Sequence, residues 1–410
     1  LEYMMMEVKK IHSLLIYEEL ADFFRISCAL VDYEKLFSVV NPKSCYLYVQ
    51  NILDSKSVKD FFERHKLTNN GIRLELSTYK SDQNNKAINI VDLEHISNIR
   101  GWGSYEDEER GVKNSIDNTQ IKDGKTKYPI LNKTKKFNIP ICVVGNGYSL
   151  NKLIPFIKKN SEKMIILSAG TALKPLKENG INPDFQIEIE RFDELHYYLA
   201  QANPQDTTFL CGNIVNQKAL ALGKEILLFW RGSSAHSYDK NPKEIIDFSY
   251  PLVGNATFAI ASLFSDEILI CGLDMGYKKG ETKHAKGSIY TEEKDEIPQG
   301  AIRCEGNFGG EIYSDSIFSL SKEMIEYAIL INKPKRVLNL SDGVKIKGTI
   351  PMLPDTIKLE KKDKKKVLKE FRGCFSTQSA NIFQDPEADF ETMFLELKKD
   401  LFESLNREIT

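Results

Sequence analysis

Residues 139–150, with the sequence IPICVVGNGYSL, constrain the fold most, because a short apolar run breaks into Gly-Asn-Gly and then enters an amphipathic helix. Residues 141–144 predict a buried strand, and Gly145 and Gly147 allow a tight turn that brings backbone N–H groups close to a ligand. Ser149 is predicted to cap the following helix, whose positive end favours phosphate. The pattern indicates a nucleotide site. An ordinary strand-to-helix turn explains the spacing equally well, since a third glycine and a P-loop lysine are missing.

Strand and helix patterns alternate through the middle of the chain. The candidate strands are 141–144, 164–167, 185–189, 208–211, 226–230, 268–271 and 337–340. The candidate helices are 153–159, 172–179, 194–201, 256–264 and 316–331. This alternation predicts an α/β fold with a Rossmann-like, mostly parallel sheet and helices on both faces. Ligands of such sheets bind at the carboxyl ends of the strands.

A length of 410 residues predicts several domains. Residues 1–85 are expected to form a smaller α/β domain, with an amphipathic segment at 16–24 and a strand at 44–50. Polar residues 86–136 are expected to be a linker or exposed connection. The central domain is expected to span 137–350. A helical C-terminal region, 351–410, has a lysine-rich run at 361–366 and a helical pattern at 391–405.

Composition excludes several classes of protein. Hydrophobic residues make up 41% and charged residues 28%, which is typical of a soluble globular protein. The net charge of -2 argues against an electrostatic nucleic-acid binder. No apolar run approaches the roughly 20 residues that span a bilayer, and the first residues lack the order of a signal peptide. The cysteines form no CxxC pair, so we expect reduced core residues in a cytoplasmic protein and no zinc site.

Small and polar residues follow the next two candidate strands. Ser168 ends one strand, Thr171 can cap the next helix, and a ligand can lie against Gly170. Glu188 and Glu190 project from one side of the following strand. Glu190, at the carboxyl end, is the residue we expect to accept hydrogen bonds from ribose or sugar hydroxyls.

Two later motifs also lie where a parallel sheet would place its ligand. Gly254 and Asn255 precede a helix of small residues, whose first N–H groups would point into the cleft. Asn255 and Thr257 are the expected ligand-facing positions, although tight packing on the sheet also requires small residues. Asp274 follows the strand at 268–271 and is a candidate functional carboxylate.

A long polar, glycine-rich span from 278 to 313 predicts a lid or substrate loop that moves when no ligand is bound. His284, between Lys283 and Lys286, can act as general base toward an acceptor hydroxyl; the alternative is an exposed loop histidine. His236 is the rival base. Tyr313 and Tyr277 are further substitutes.

Six motifs in this order resemble those of the motility accessory factors, whose central domain is shared with the 6-hydroxymethylpterin diphosphokinase-like proteins. They are VGNGYSL at 144–150, SAGTAL at 168–173, GINPDF at 180–185, PLVGNATFA at 251–259, GLDMGY at 272–277 and KHA at 283–285. The resemblance covers about 137–350. It implies a flagellin glycosyltransferase with a nucleotide-sugar-binding catalytic domain.

A more distant similarity, to bacterial sialyltransferases that use CMP-sialic acid, implies that Gly145, Asn146, Gly147 and Ser149 hold the phosphate and ribose of CMP. Tyr148 replaces the proline of those enzymes. Their base is a histidine just before the next helix, and residues 312–316 contain none.

The expected function is therefore transfer of a nonulosonic acid, of the pseudaminic or legionaminic type, from a CMP donor to Ser or Thr of flagellin in the cytoplasm. Lys283, Lys286 and the helix after Ser149 would balance the phosphate. His284, Asp274 and Tyr313 are the candidate catalytic residues. No cofactor, nucleic acid or membrane is expected. The alternatives are diphosphate transfer from ATP to a hydroxymethylpterin, with Mg²⁺ on carboxylates such as Glu190 and Asp274, and a non-catalytic flagellin chaperone.

Overall fold

The computed structural model describes residues 13–40, 45–49, 53–54, 57–58, 61–62, 75, 77, 79–100, 105–119, 128–129, 135–234, 237, 244–290, 297–298 and 300–376. The chain forms two compact units, residues 1–102 with 394–410 and residues 103–393. No helix among the described residues is both long and apolar enough to cross a membrane.

Among the described residues of the N-terminal unit are two strands, which pair in parallel, and three helices. They are β1 (Leu14–Glu18), α1 (Ala21–Leu30), α2 (Tyr33–Val39), β2 (Cys45–Val49) and α3 (Asp82–Arg100). The core of this unit includes Phe61 and Phe62, which pack against residues of β1 and β2. The expected amphipathic segment at 16–24 is divided between a strand and a helix, and the expected strand at 44–50 contains β2.

The second unit carries the predicted α/β architecture. Its elements are α4 (Tyr105–Thr119), β3 (Tyr128–Pro129), β4 (Ile141–Val144), α5 (Leu150–Asn160), β5 (Ile165–Ala169), α6 (Leu173–Glu178), β6 (Phe185–Glu188), α7 (Leu195–Ala200), β7 (Thr208–Gly212), α8 (Gln217–Leu220), β8 (Glu225–Arg231), β9 (Ile245–Ile246), α9 (Val253–Phe264), β10 (Glu267–Cys271), β11 (Ile302–Glu305), β12 (Glu311–Ser314), α10 (Ser316–Asn332), β13 (Arg336–Asn339), β14 (Ile350–Pro351), α11 (Lys364–Arg372) and β15 (Phe375–Ser376).

Nine strands form one sheet in the order β14-β13-β10-β4-β5-β6-β7-β8-β9, and every neighbouring pair is parallel. From β4 the chain adds strands along one edge as far as β9 and then returns to place β10 on the other side of β4. The strand order reverses between β4 and β10. In open parallel sheets, the crevice outside the strands at such a reversal binds ligands.

Both faces of the sheet are buried, which explains why most of its strands are largely apolar and do not alternate with polar residues; β6, with Gln186 and Glu188, is an exception. Ile141 and Val143 of β4 pack in one core with α9 and α10, whereas Cys142 and Val144 pack in a second core with α5. Phe371 of α11 is fully buried in the first core. The predicted parallel sheet with helices on both faces is confirmed.

The polar region 86–136, expected to be a connection, contains α3 and α4 instead. α4 belongs to the compact unit of the sheet. Its buried Asn118 donates to the backbone carbonyls of Asn213 and Val215, each at 2.7 Å. Asn114 donates to the carbonyls of Arg191 and Ile214, each at 3.0 Å. Polar side chains therefore attach this helix, which hydrophobic periodicity did not predict. The helical pattern expected at 391–405 lies outside the described residues.

Candidate functional site

A cavity of about 950 Å³ opens at the carboxyl ends of the strands around the β4–β10 reversal. Its walls include the Gly145–Gly147 turn after β4, Gly170 and Thr171 after β5, and residues 272–276 after β10. The start of α9 contributes Gly254, and the segment after 282 contributes Lys283 and His284. The cavity therefore lies where the strand order predicts a ligand.

The two glycines of the turn are required by close packing. The backbone N–H groups of Gly145 and Gly147 donate to the carbonyls of Cys271 and Gly272, each at 2.8 Å. A Cβ on Gly145 would lie 2.3 Å from a Leu273 methyl, and one on Gly147 would lie 2.1 Å from a carboxylate oxygen of Asp274. These N–H groups bind the β10 loop and are not available to a ligand, which corrects the expected role. Both glycines still line the cavity.

Ser149 and Asp274 form a buried pair at the start of α5. The Asp274 carboxylate accepts a hydrogen bond from the Ser149 backbone N–H at 3.0 Å and another from its hydroxyl. Burial raises the pKa of Asp274 to about 6, although both hydrogen bonds oppose the shift. Ser149 was expected to cap α5, but its side chain makes no capping hydrogen bond. The Asp274 carboxylate accepts from the first turn of the helix instead. Ser149 does not line the cavity, whereas Asp274 does.

Asn146 joins three segments of the cavity wall. Its amide Nδ2 donates to the hydroxyls of Thr171 and Ser288, each at 2.7 Å. Its Oδ1 is buried and has no hydrogen-bond partner. A buried amide oxygen normally has a partner, so Oδ1 is the Asn146 atom that is left to accept a hydrogen bond. Thr171 does not cap α6 as expected, since its hydroxyl binds Asn146 and the cap residue, Ala172, makes no side-chain bond.

Gly170 has a positive φ of 54°, and a Cβ there would lie 2.9 Å from Val253. This close approach places the turn after β5 against the start of α9. Gly170 therefore has a packing role in addition to lining the cavity.

The segment that carries His284 runs along the Gly-Asn-Gly turn. His284 forms an antiparallel bridge with Gly147, and Ala285 N–H donates to the Asn146 carbonyl at 3.0 Å. The His284 ring stacks on Tyr290, with 4.3 Å between centroids. Both rings line the cavity. The structure therefore places the expected base beside the expected nucleotide loop.

Lys283 also reaches the cavity, where its ammonium lies 5.4 Å from the ring centre of Tyr277 and 5.5 Å from that of Phe318. Lys286 is exposed and does not line the cavity. Tyr277 is buried beneath Lys283, and its hydroxyl donates to Asp315 at 2.9 Å.

The second part of the expected lid is a hairpin of β11 and β12. Tyr313 lies in this hairpin, pairs through its backbone with Tyr277 and donates its hydroxyl to Glu311 at 3.3 Å. It does not line the cavity, so the structure separates this candidate from the others. His236 lies outside the described residues, and the expected mobility of the lid stays a prediction.

Three other expected ligand-binding residues are occupied within the fold or buried beneath the cavity. Asn255 donates to the Ser321 carbonyl and accepts from the Ser321 hydroxyl, each at 2.7 Å, and so joins α9 to α10. Thr257 is fully buried and donates to the Val253 carbonyl at 2.9 Å. Ser168 is fully buried within β5. None of the three lines the cavity.

Glu188 and Glu190 both line the cavity, as their shared side of the strand predicted. Burial raises the pKa of Glu190, and the charges of Arg231 and Arg191 oppose the shift. Burial raises the pKa of Glu188 to about 8, and the hydrogen bond from Gln186 opposes it. Glu188 was not among the expected ligand-binding residues. The signal was the polar alternation at positions 186, 188 and 190 in an otherwise apolar strand.

One part of the cavity wall is mainly apolar. It is built around α7 and includes Phe192, Leu195, Tyr198 and Leu199. The sequence predicted this helix but not its contact with the site, because the same apolar side chains also pack in a core beneath it.

Comparison with known proteins agrees with the motifs. The family model described as 6-hydroxymethylpterin diphosphokinase MptE-like matches residues 113–280. The solved structure of the MAf glycosyltransferase from Magnetospirillum magneticum AMB-1 is similar, with a TM-score of 0.69 and 24% identity over 90% of this chain. The chain spans 58% of the length of that protein. No curated protein sequence matches the chain. The family model agrees with the expected relationship of the central domain to the 6-hydroxymethylpterin diphosphokinase-like proteins, and the solved structure confirms the fold.

Proposed function

We propose that this protein is a glycosyltransferase that moves a nonulosonic acid, of the pseudaminic or legionaminic type, from a CMP donor to Ser or Thr of flagellin. The observation that carries the proposal is the meeting of Asn146 and His284 in one cavity at the β4–β10 reversal. A nucleotide-binding loop and a proton acceptor are the two parts that transfer from a sugar nucleotide requires. The fold is similar to that of a protein described as a glycosyltransferase.

Three residues that line the cavity have separate roles in this reaction. The free Oδ1 of Asn146 would accept a hydrogen bond from the nucleotide. Lys283 would balance the charge of the departing phosphate. His284 would take the proton of the acceptor hydroxyl, since imidazole accepts protons near neutral pH. The flagellin acceptor, the sugar and a cytoplasmic location are supported by the resemblance to motility accessory factors.

The family model that matches residues 113–280 supports a second candidate, diphosphate transfer from ATP to a hydroxymethylpterin. This reaction would use Mg²⁺ held by carboxylates. Within the described part of the chain, no three carboxylate, imidazole or thiol groups are gathered to hold a metal ion. Asp274 also already accepts two hydrogen bonds from Ser149. The residues present therefore fit this candidate less well.

Calorimetry of the purified chain against CMP, ATP and GTP, each with and without Mg²⁺, tests the proposal. We expect binding of CMP that does not depend on Mg²⁺. Binding of ATP that requires Mg²⁺, without binding of CMP, would favour diphosphate transfer. Binding of flagellin without any nucleotide would favour a chaperone.

A further inference from the structure

Glu188 is a buried carboxyl group in the cavity wall. Glu188 is only 1% exposed, yet it lines the cavity at the carboxyl end of β6. Its Oε1 accepts a hydrogen bond from Gln186 Nε2 at 2.8 Å. Among the residues that the structure describes, no cationic side chain forms an ion pair with it. A buried carboxyl group without a cation is normally protonated.

The neighbours of Glu188 form a polar patch on a face that is otherwise apolar. Gln186 Nε2 also donates to the Gly170 carbonyl at 2.7 Å, which fixes the amide between the β5 turn and Glu188. The Oε1 atom of Gln186 and the hydroxyl of Ser168, its partner across the strands, are both buried without hydrogen-bond partners. Unsatisfied atoms of this kind need a structural or functional reason. Here they adjoin the turn after β5, which lines the cavity.

The titratable groups that face Glu188 supply no positive charge. Glu190 lies two residues after Glu188, beyond the end of β6, and Cys211 of β7 is paired with Glu188. Tyr290 also lines the cavity, and its pKa is raised by burial first and then by Glu190 and Glu188. Tyr290 stacks on His284, and Glu188 lines the same cavity as both of these rings. With these neighbours, burial raises the pKa of Glu188 to about 8.

We propose that Glu188 is the proton donor to the nucleotide phosphate that departs during transfer, and that Gln186 positions it. The inference rests on the proposed function. A protonated carboxyl group suits this place, because a carboxylate would repel the phosphate and a neutral acid donates to it. His284 then takes the proton of the acceptor hydroxyl, and the two groups have opposite tasks in one cavity.

The step balances. The acceptor oxygen forms a bond to the anomeric carbon, and the bond from that carbon to the phosphate oxygen breaks with its electron pair left on the oxygen. The Glu188 proton passes to this oxygen, and the acceptor proton passes to His284. Water returns one proton from His284 to Glu188 before the next turnover.

Glu188→Gln keeps the shape and the hydrogen-bonding capacity of the side chain but has no proton to transfer. In a transfer assay with a CMP-activated nonulosonic acid, we expect kcat to fall about 10²–10⁴-fold while CMP affinity changes little. The wild-type kcat/KM should fall above about pH 8, as Glu188 ionises, and the variant should lack this alkaline limb. Glu162→Gln, at an exposed position, is the matched control. It should keep the wild-type kcat and the fall of kcat/KM above about pH 8.

Gln186→Leu tests the positioning role. The hydrogen bond from Gln186 lowers the pKa of Glu188, so its loss should move the alkaline limb to higher pH. A merely structural role would leave the limb in place.

The outcomes separate the two proposals. An inactive wild type would contradict the proposed function and the inference with it. An active wild type with a Glu188→Gln variant of equal rate and equal pH profile would overturn the inference alone. If that variant fails to fold, an unmoved alkaline limb in Gln186→Leu would overturn it.

Discussion

Asn146 connects the β4 turn, the β5 turn and the His284 segment through one amide group, and its Oδ1 stays free. Asn146→Ala should weaken CMP binding by about 1–3 kcal/mol, because one hydrogen bond to the nucleotide is lost. Calorimetry measures the change, and Asn182→Ala, in an exposed turn, is the control. Unchanged CMP affinity in the folded Asn146→Ala variant would remove the nucleotide from this loop.

His284 is the best-placed proton acceptor among the described histidines, since it lies against Gly147 and lines the cavity. His284→Ala should lower transfer about 10²–10⁴-fold with little change in CMP affinity, because a general base acts on the acceptor hydroxyl. His196→Ala, on α7 outside the cavity lining, is the control. Near-wild-type glycosylation of flagellin by His284→Ala, measured by mass spectrometry, would transfer the role to His236.

The buried acid Glu188 makes stability depend on pH. Its pKa is raised from 4.5 to about 8 in the folded chain, so the folded state keeps a proton that the unfolded state has lost. The free energy of unfolding should therefore fall between about pH 4.5 and 8, by at most about 1.4 kcal/mol per pH unit. Glu188→Gln should melt higher than wild type at pH 8 and much less so at pH 5. Equal differences at both pH values would show that Glu188 is ionised in the folded protein.

The capping role of Ser149 could not be predicted correctly from the sequence. Its place before a helix suggested a cap, but the structure brings Asp274 to it from 125 positions away. Spacing along the chain identifies which turn faces the cavity. It does not identify which of two polar residues is satisfied internally, because that depends on a strand pairing made between distant segments.

Elements that bury apolar side chains were predictable. β4 and the strands beside it are apolar on both faces, and so is α9, whose small residues pack against the sheet. α4 was missed because its contacts to the sheet are made by buried asparagines, which hydrophobic periodicity does not register. The apolar wall of α7 was likewise predicted as a helix without its contact to the cavity.

The attachment of α4 can be tested through Asn118, whose amide donates two hydrogen bonds to the loop after β7. Asn118→Ala leaves two buried carbonyls without this donor and should lower the free energy of unfolding by about 1–3 kcal/mol. Thermal or denaturant unfolding measures the loss. The exposed Asn182→Ala should be close to neutral, and an equally small effect for Asn118→Ala would contradict the docking of α4.

In the whole molecule, the order of the strands determines where the cavity lies. The resemblance to motility accessory factors supports the proposed chemistry. The leaving group of a CMP donor is CMP, which carries a single phosphate whose charge Lys283 and the polar cavity can balance. Transfer should therefore persist in EDTA. Diphosphate transfer from ATP should not, because its charge is balanced by Mg²⁺.

The most direct test is the intact mass of flagellin after incubation with the purified chain and a CMP-activated nonulosonic acid in EDTA. The proposed function predicts a mass increase of one or more nonulosonic acid residues, with release of one CMP for each. An unchanged flagellin mass, together with Mg²⁺-dependent conversion of hydroxymethylpterin by the same preparation, would contradict it.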